Sequence, residues 1–254
     1  MKSIDFCIQY LLDYNNAELP DELSKEKALR TLMNITTPDN LDNVFYKEQD
    51  KALQEILSKK NIVELSDLKP VKGKYYIYVG DITLIKADAI VNSANKEMLG
   101  CFIPLHSCVD NAIHSYAGLE VRRDLMKMLS ENPSYQPVGH ALITKGYNLP
   151  SRYIIHTVGP TVFGRNPTEE NINELRNCYL ACMEAADKVH AGSIVFCSIS
   201  TGVYRFPKKE SAHIAIKAVD DYLKEHPEST INKVVFNLFN ENALDIYKHA
   251  IEEI

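Results

Sequence analysis

From Lys74 onward the chain alternates short apolar β-forming runs with amphipathic helical stretches, and no other feature limits the available folds so tightly. Tyr75-Tyr76-Ile77-Tyr78-Val79 and Ala87-Asp88-Ala89-Ile90-Val91 are two such runs, separated by Gly80-Asp81-Ile82-Thr83. His140-Ala141-Leu142-Ile143-Thr144, Tyr153-Ile154-Ile155-His156-Thr157, Ser193-Ile194-Val195-Phe196-Cys197 and Val234-Val235-Phe236-Asn237-Leu238 follow. Between them helices are predicted from about Val109 to Leu129, with a break at Gly118, and from about Glu169 to Val189. Another runs through Ala212, Ile216 and Val219, and a last one spans Ala243 to Ile251. Strands this apolar need helices on both faces of their sheet, which predicts an α/β fold. The first two runs are too close together for a crossover helix, so the sheet is expected to be mixed. Ligands of such sheets bind beyond the carboxyl ends of the strands. The loops after Val79, Val91 and Cys197 are therefore expected to meet in one crevice.

Residues 1 to about 70 read as helical, with apolar stripes at Ile4, Ile8, Leu11 and Leu12, at Leu23, Ala28, Leu29 and Leu32, and at Ala52, Leu53, Ile56 and Leu57. Thr37-Pro38-Asp39 breaks the second from the third. Helices of this length need a partner surface, so an appendage packed on the main domain is expected. With 254 residues, 45% apolar content and a net charge of −6, the chain has material for a large core and lacks a nucleic-acid binder's basic footprint. Its start, MKSIDFCIQYLLDYNN, does not read as a signal peptide, and no stretch approaches the roughly 20 apolar residues of a membrane span. No membrane partner and a cytoplasmic, reducing setting are the expectation. In that setting Cys7, Cys101, Cys108, Cys178, Cys182 and Cys197 are free, buried or metal-bound rather than paired.

Three loops carry candidate chemistry. Ser198-Ile199-Ser200-Thr201-Gly202-Val203-Tyr204 joins an apolar strand to a helix, and its small residues would let successive backbone N–H groups face an anion. It lacks the lysine of a Walker loop, and a plain glycine turn fits it as well. Asp81 could accept from an amino group such as that of adenine, or cap its own turn. Cys101, His106 and Cys108 have C-x4-H-x-C spacing; three soft ligands with a fourth position open describe a catalytic zinc site. Small buried thiols beside a hydrogen-bonded histidine is the competing reading, and a Cys101–Cys108 redox couple a third. Asp110 and Asn111 follow at once in the first helical turn, where Asp110 either caps the helix or takes a proton from water beside a metal. His114 and His156 read as core residues.

Taken together, Gly80-Asp81-Ile82-Thr83, Ile90-Val91-Asn92-Ser93-Ala94-Asn95, Val109-Asp110-Asn111-Ala112-Ile113-His114, Ile154-Ile155-His156-Thr157-Val158-Gly159-Pro160 and Ser200-Thr201-Gly202-Val203-Tyr204-Arg205-Phe206-Pro207 resemble the macrodomain family of ADP-ribose-binding modules. The resemblance implies a three-layer α/β/α macrodomain with a mixed central sheet over residues 71–254 and a helical N-terminal extension over 1–70. Where most macrodomains carry a glycine run, this chain has Gly100-Cys101-Phe102-Ile103-Pro104-Leu105-His106-Ser107-Cys108. That loop resembles the zinc-dependent branch of microbial protein-ADP-ribosyl hydrolases, which associates with a sirtuin-type ADP-ribosyltransferase and a lipoate-carrying H-like protein.

This likeness implies zinc on Cys101, His106 and Cys108, and an enzyme that removes mono-ADP-ribose from acidic side chains of modified proteins. It implies Asp81 and Ile82 at adenine, Phe239 against the ring and Asn240 at the near ribose. Ser200, Thr201, Gly202, Val203 and Tyr204 would hold the diphosphate. Asn95 would orient the distal ribose, Asn111 would belong to the ADP-ribose-binding set, and Asp110 would act as base or water-positioner. A non-catalytic ADP-ribose-binding module and an O-acetyl-ADP-ribose deacetylase are the alternatives, and a purely structural zinc is a further one.

Overall fold

In the computed structural model of the chain, which describes residues 2–20, 22–135 and 137–254, the apolar runs become strands of one seven-stranded sheet. The strands are β1 (Val63–Glu64), β2 (Pro70–Lys72), β3 (Tyr75–Val79), β4 (Ile85–Lys86), β5 (Ala89–Ser93), β6 (Ala141–Lys145), β7 (Tyr153–Thr157), β8 (Ser193–Phe196) and β9 (Lys233–Leu238). The small β1 and β4 pair with each other, and the large sheet runs β2-β3-β9-β8-β5-β7-β6. Its five inner strands are parallel, while β2 and β6 run antiparallel to β3 and β7. The mixed sheet is thus present, for a different reason from the one inferred. β9 and β8 lie between β3 and β5, and the mixing arises at the two edges.

Inner strands are buried along their length. Ile90, Val91, Ile154, Ile155, Ile194, Val195, Val234 and Val235 are all 0% exposed, as a sheet covered on both faces requires. The covering helices are α4 (Val109–Ala117), α5 (Leu119–Glu131), α6 (Glu169–Lys188), α7 (Lys208–Glu225) and α8 (Leu244–Glu252), preceded by α1 (Ser3–Asn15), α2 (Lys25–Ile35) and α3 (Asn43–Leu57). Side-chain caps set their starts: Ser24 accepts from Lys27 N–H, Asp42 from Phe45 N–H, and Thr168 and Asn171 form a reciprocal box. Gly118, at φ +110°, separates α4 from α5, and a Cβ there would lie 2.7 Å from Gln49 Nε2.

The first three helices share an apolar cluster of Cys7, Leu11, Leu29, Leu32, Met33, Phe45 and Leu53, which Leu119 joins from α5. Helical structure stops at Leu57, short of the expected residue 70, because Val63–Glu64 and Pro70–Lys72 pair as edge strands too short to show a period. β5 begins two residues later than expected, since Asp88 turns its carboxylate onto Gly192 N–H and Ser193 Oγ. Among the described residues no helix is long and apolar enough to cross a membrane.

α5 meets α3 through a buried carboxylate. Glu120 accepts from Gln49 Nε2 at 2.7 Å, and Gln49 Oε1 accepts from Leu119 N–H at 2.9 Å. Burial pushes the Glu120 carboxyl up to about 7, against the pull of Gln49's amide. The folded state therefore holds this proton above the pH at which the unfolded chain releases it, and stability falls as pH rises from the ordinary carboxylate range through about 7. Glu120→Gln is expected to gain on the wild type between about pH 5 and pH 8, reaching on the order of 1 kcal/mol, or about 2–4 °C in melting temperature. A difference that stays constant across that window would place the titrating proton elsewhere.

Candidate functional site

Because β3, β9, β8, β5 and β7 are parallel, the segments that follow them all leave one edge of the sheet. After β5 comes the loop with the two cysteines. Cys101, His106 and Cys108 each offer a donor atom, and these atoms lie within 4.8 Å of one another. Cys101 Sγ is 3.5 Å from His106 Nδ1, and all three residues are half-buried. Zinc bonds of about 2.3 Å to sulfur and 2.0–2.1 Å to nitrogen put tetrahedral donors roughly 3.5–3.8 Å apart, so this donor set fits zinc with small adjustments. Cys108 is also the N-cap of α4, accepting from Asn111 N–H at 3.4 Å. Burial pushes its thiol up to about 12, with Cys101 and Asp110 adding to the shift. Gly100, at φ +82°, permits the loop's path: a Cβ would come within 2.7 Å of the His114 ring.

Asp110 sits in the first turn of α4, 4% exposed, and heads a buried polar chain. Asn92 Nδ2 donates to Asp110 Oδ1 at 2.8 Å and reaches His156 Nδ1 at 3.2 Å, while His156 Nε2 lies 2.9 Å from Thr144 Oγ1. Asn92 can only donate from that nitrogen, so His156 accepts at Nδ1 and carries its proton on Nε2. Burial pushes His156 down to about 3 and Asp110 up to about 6, the latter opposed by Asn92 and by the Arg122 guanidinium. His156 is thus the bonded core residue expected. His114 is different: its Nε2 stands 3.6 Å from Asp110 Oδ1, and neither ring nitrogen has a hydrogen bond among the described residues. Burial keeps it neutral. Asn92 Oδ1, Asn95 Oδ1 and Ser200 Oγ are also buried without partners among the described residues.

Beyond β8, Ser200 takes a left-handed conformation at φ 62° and turns the loop before α7. Among the described residues, the N–H groups of Ser200, Gly202, Val203 and Tyr204 donate to no protein acceptor. Thr201 differs, donating to the Ser198 carbonyl from both N–H and Oγ1. Val162 N–H ties the segment after β7 to the Tyr204 carbonyl at 2.9 Å. After β3, Asp81 is exposed and caps its own turn through Oδ1, which accepts from Thr83 N–H and Oγ1, while Ile82 is buried. Phe239 is 87% exposed, and Asn240 caps the turn that follows it.

Asn95 donates to the Gly100 carbonyl at 2.9 Å, which leaves its orphaned oxygen as the group able to meet a ligand. Asn111 is fully buried, and its side chain is spent on the loop and on Arg30 rather than turned toward the crevice. Several partners had no local sequence signal: Asn237, whose amide holds the Tyr78 and Gly80 carbonyls behind Asp81, and Arg30, Asn34 and Arg122 around the cysteine loop. Each is remote in sequence from what it touches. The Asn92–His156–Thr144 chain falls at alternate strand positions, and only the pairing of β5, β7 and β6 brings it together.

The Macro domain family matches residues 91–215. A Treponema medium protein named protein-ADP-ribose hydrolase is 40% identical over 251 residues, covering 95% of each chain. A Staphylococcus aureus (strain MRSA252) protein of the same name is 44% identical over 222 residues, 87% of this chain and 82% of that one. Among solved structures, the Trypanosoma brucei macrodomain in complex with ADP-ribose superposes with a TM-score of 0.66 at 29% identity, covering 87% of this chain and 94% of that one. With this sheet order and these relatives, the chain belongs to the macrodomain family.

Proposed function

We propose that this macrodomain is a zinc-dependent hydrolase that removes mono-ADP-ribose from an acidic side chain of a modified protein. The observation that carries the reading is the placement of three soft donors immediately before the helix that bears buried Asp110, at the ligand-binding edge of the sheet. Relatives named as protein-ADP-ribose hydrolases support the reaction class. The lipoate-carrying H-like protein implied by the resemblance is the first modified target to try.

Asp81 accepts the adenine amino group through its carboxylate, with Ile82 beside it, and the exposed ring of Phe239 lies against the base. Asn240 contacts the near ribose. The free N–H groups of Ser200, Gly202, Val203 and Tyr204 hold the diphosphate, which lets an acidic protein bind an anion without surface lysines. Asn95 orients the distal ribose through its unpartnered oxygen. Cys101, His106 and Cys108 would hold zinc, which when bound would supply Lewis acidity at the distal ribose or toward the attacking water, as open zinc sites lower a water's pKa toward about 7. Asp110 takes the water's proton or aims it, and Asn92 fixes the carboxylate's orientation from behind.

Adenine and diphosphate contacts are the same in substrate and product, so they supply affinity; groups that follow charge at the anomeric carbon supply rate. Asp110→Asn and Cys108→Ala are expected to slow removal of ADP-ribose from a modified protein by about 100-fold or more, with ADP-ribose affinity by calorimetry within about tenfold of wild type. Rates that stay at the wild-type level in both variants would defeat the mechanism. Binding without turnover in the zinc-loaded wild type would make the chain a reader of the modification, and a preference for O-acetyl-ADP-ribose would make it a deacetylase.

Asp81→Ala is expected to behave in the opposite way. It should weaken ADP-ribose binding about tenfold while leaving the rate at saturating substrate within a few-fold of wild type. A variant whose saturated rate collapses with unchanged affinity would move Asp81 out of the adenine subsite.

A further inference from the structure

Each of the three donor residues is one hydrogen bond from Arg30 or Asn111, and Arg30 belongs to the N-terminal helices: the two side chains reach the His106 and Cys101 carbonyls, and the Asn111 backbone N–H reaches Cys108. Arg30 on α2 donates to Asn111 Oδ1 from Nε at 3.0 Å and from Nη2 at 2.6 Å, and Nη2 also reaches the His106 carbonyl at 3.2 Å. A guanidinium has donors only, so it dictates that the oxygen of the Asn111 amide faces it. The amide nitrogen then faces the loop, where it donates to the Ile103 carbonyl at 2.9 Å and approaches the Cys101 carbonyl at 3.4 Å. Asn111 N–H reaches Cys108 Sγ at 3.4 Å. One turn further along α2, Asn34 accepts from Leu105 N–H at 3.0 Å and donates to Ser115 Oγ at 2.9 Å. Spaced four apart, Arg30 and Asn34 share a helix face, and that face meets the loop.

We propose that α2 is the template on which the metal loop is held, with Arg30 acting through Asn111 as the positioning residue for Cys101, His106 and Cys108. This rests on the zinc reading above and deepens it, since it makes the N-terminal helices part of the metal centre. The stretch from Gly100 to Cys108 has little backbone pairing of its own; His106 N–H to the Ile103 carbonyl at 3.2 Å is the bond within it among the described residues. Donors on an unfixed loop would have to be ordered when the metal arrives, at the expense of affinity. Donors already fixed by α2 avoid that loss.

The test compares wild type with Arg30→Ala, Arg30→Lys and Leu29→Ala, the last of which loosens the apolar side of the same helix without removing a polar contact. Zinc affinity is read by competition with a chromogenic chelator, and amide exchange over 100–108 is read in the metal-free protein. Arg30→Ala is expected to weaken zinc by about 10–100-fold, as loss of groups that orient metal ligands generally does, and to speed exchange of the loop. Arg30→Lys should recover part of the affinity, because an ammonium reaches Asn111 but lacks the fork that also holds His106. Leu29→Ala should lower the melting temperature with a smaller change in zinc affinity. Zinc held by Arg30→Ala within about threefold of wild type, or lost only in step with Leu29→Ala at equal destabilisation, would overturn the proposal. If Arg30→Ala fails to fold, Arg30→Lys decides alone: weakened zinc at an unchanged melting temperature supports the template, and unchanged zinc refutes it. The exchange arm is independent of metal, so a wild type that takes up no zinc sinks the proposed function, whereas unchanged exchange in Arg30→Ala sinks this inference.

Discussion

The buried guanidinium of Arg122 fastens two parts of the chain that would otherwise have no reason to meet. It is 1% exposed, and it donates to the Leu99 carbonyl at the start of the cysteine loop and to the Met33, Asn34 and Thr36 carbonyls at the end of α2. A helix end leaves carbonyls without partners and a buried charge needs acceptors, so each solves the other's problem. Burial lowers the Arg122 pKa only to about 10, which leaves it a cation, and the Phe102 ring covers it with its centroid 4.1 Å away. Removing such a charge's partners, or the charge itself, is among the more damaging changes a core can suffer. This junction fixes the start of the cysteine loop, at Leu99, against the end of α2.

On that footing the ligand-binding edge divides its labour. The segments after β3, β8 and β9 offer a carboxylate, N–H groups without an acceptor among the described residues and an exposed aromatic ring, which the proposed function assigns to a nucleotide's base and phosphates. The segment after β5 offers thiols, an imidazole and a buried carboxylate, which the proposed function assigns to the sugar end and to catalysis. Polar atoms without partners among the described residues lie near these groups, on Asn92, Asn95, His114 and Ser200. Buried polar atoms are rarely left so without a ligand or water to meet them.

Most of the architecture was readable from hydrophobic pattern because burial on both faces leaves runs such as Ile90-Val91 and Ile194-Val195 without polar interruption. Strand order was not, since nothing local in Tyr75–Val79 says that it pairs with Lys233–Leu238. Short edge strands such as Pro70–Lys72 escaped for want of a period. At the site, clustered motifs pointed to the three grouped donors and to the turn at residues 200–204 with its N–H groups that are unpaired among the described residues, because each is contiguous in sequence. The residues that hold the segments of this edge, Arg30, Asn34, Asn92, Arg122 and Asn237, act across long separations and emerge only from packing. Asn111 shows the limit most clearly: the family resemblance implied a ligand contact, whereas its buried amide faces the loop and Arg30.

Anomalous diffraction at the zinc edge, from crystals of the purified protein grown with ADP-ribose, tests the account most directly. A single peak bonded to the Cys101 and Cys108 sulfurs and to His106, with the distal ribose on its open side, is the predicted result. A thiol cluster without a peak beside an ordered nucleotide, or a metal directed away from the sugar, would contradict it.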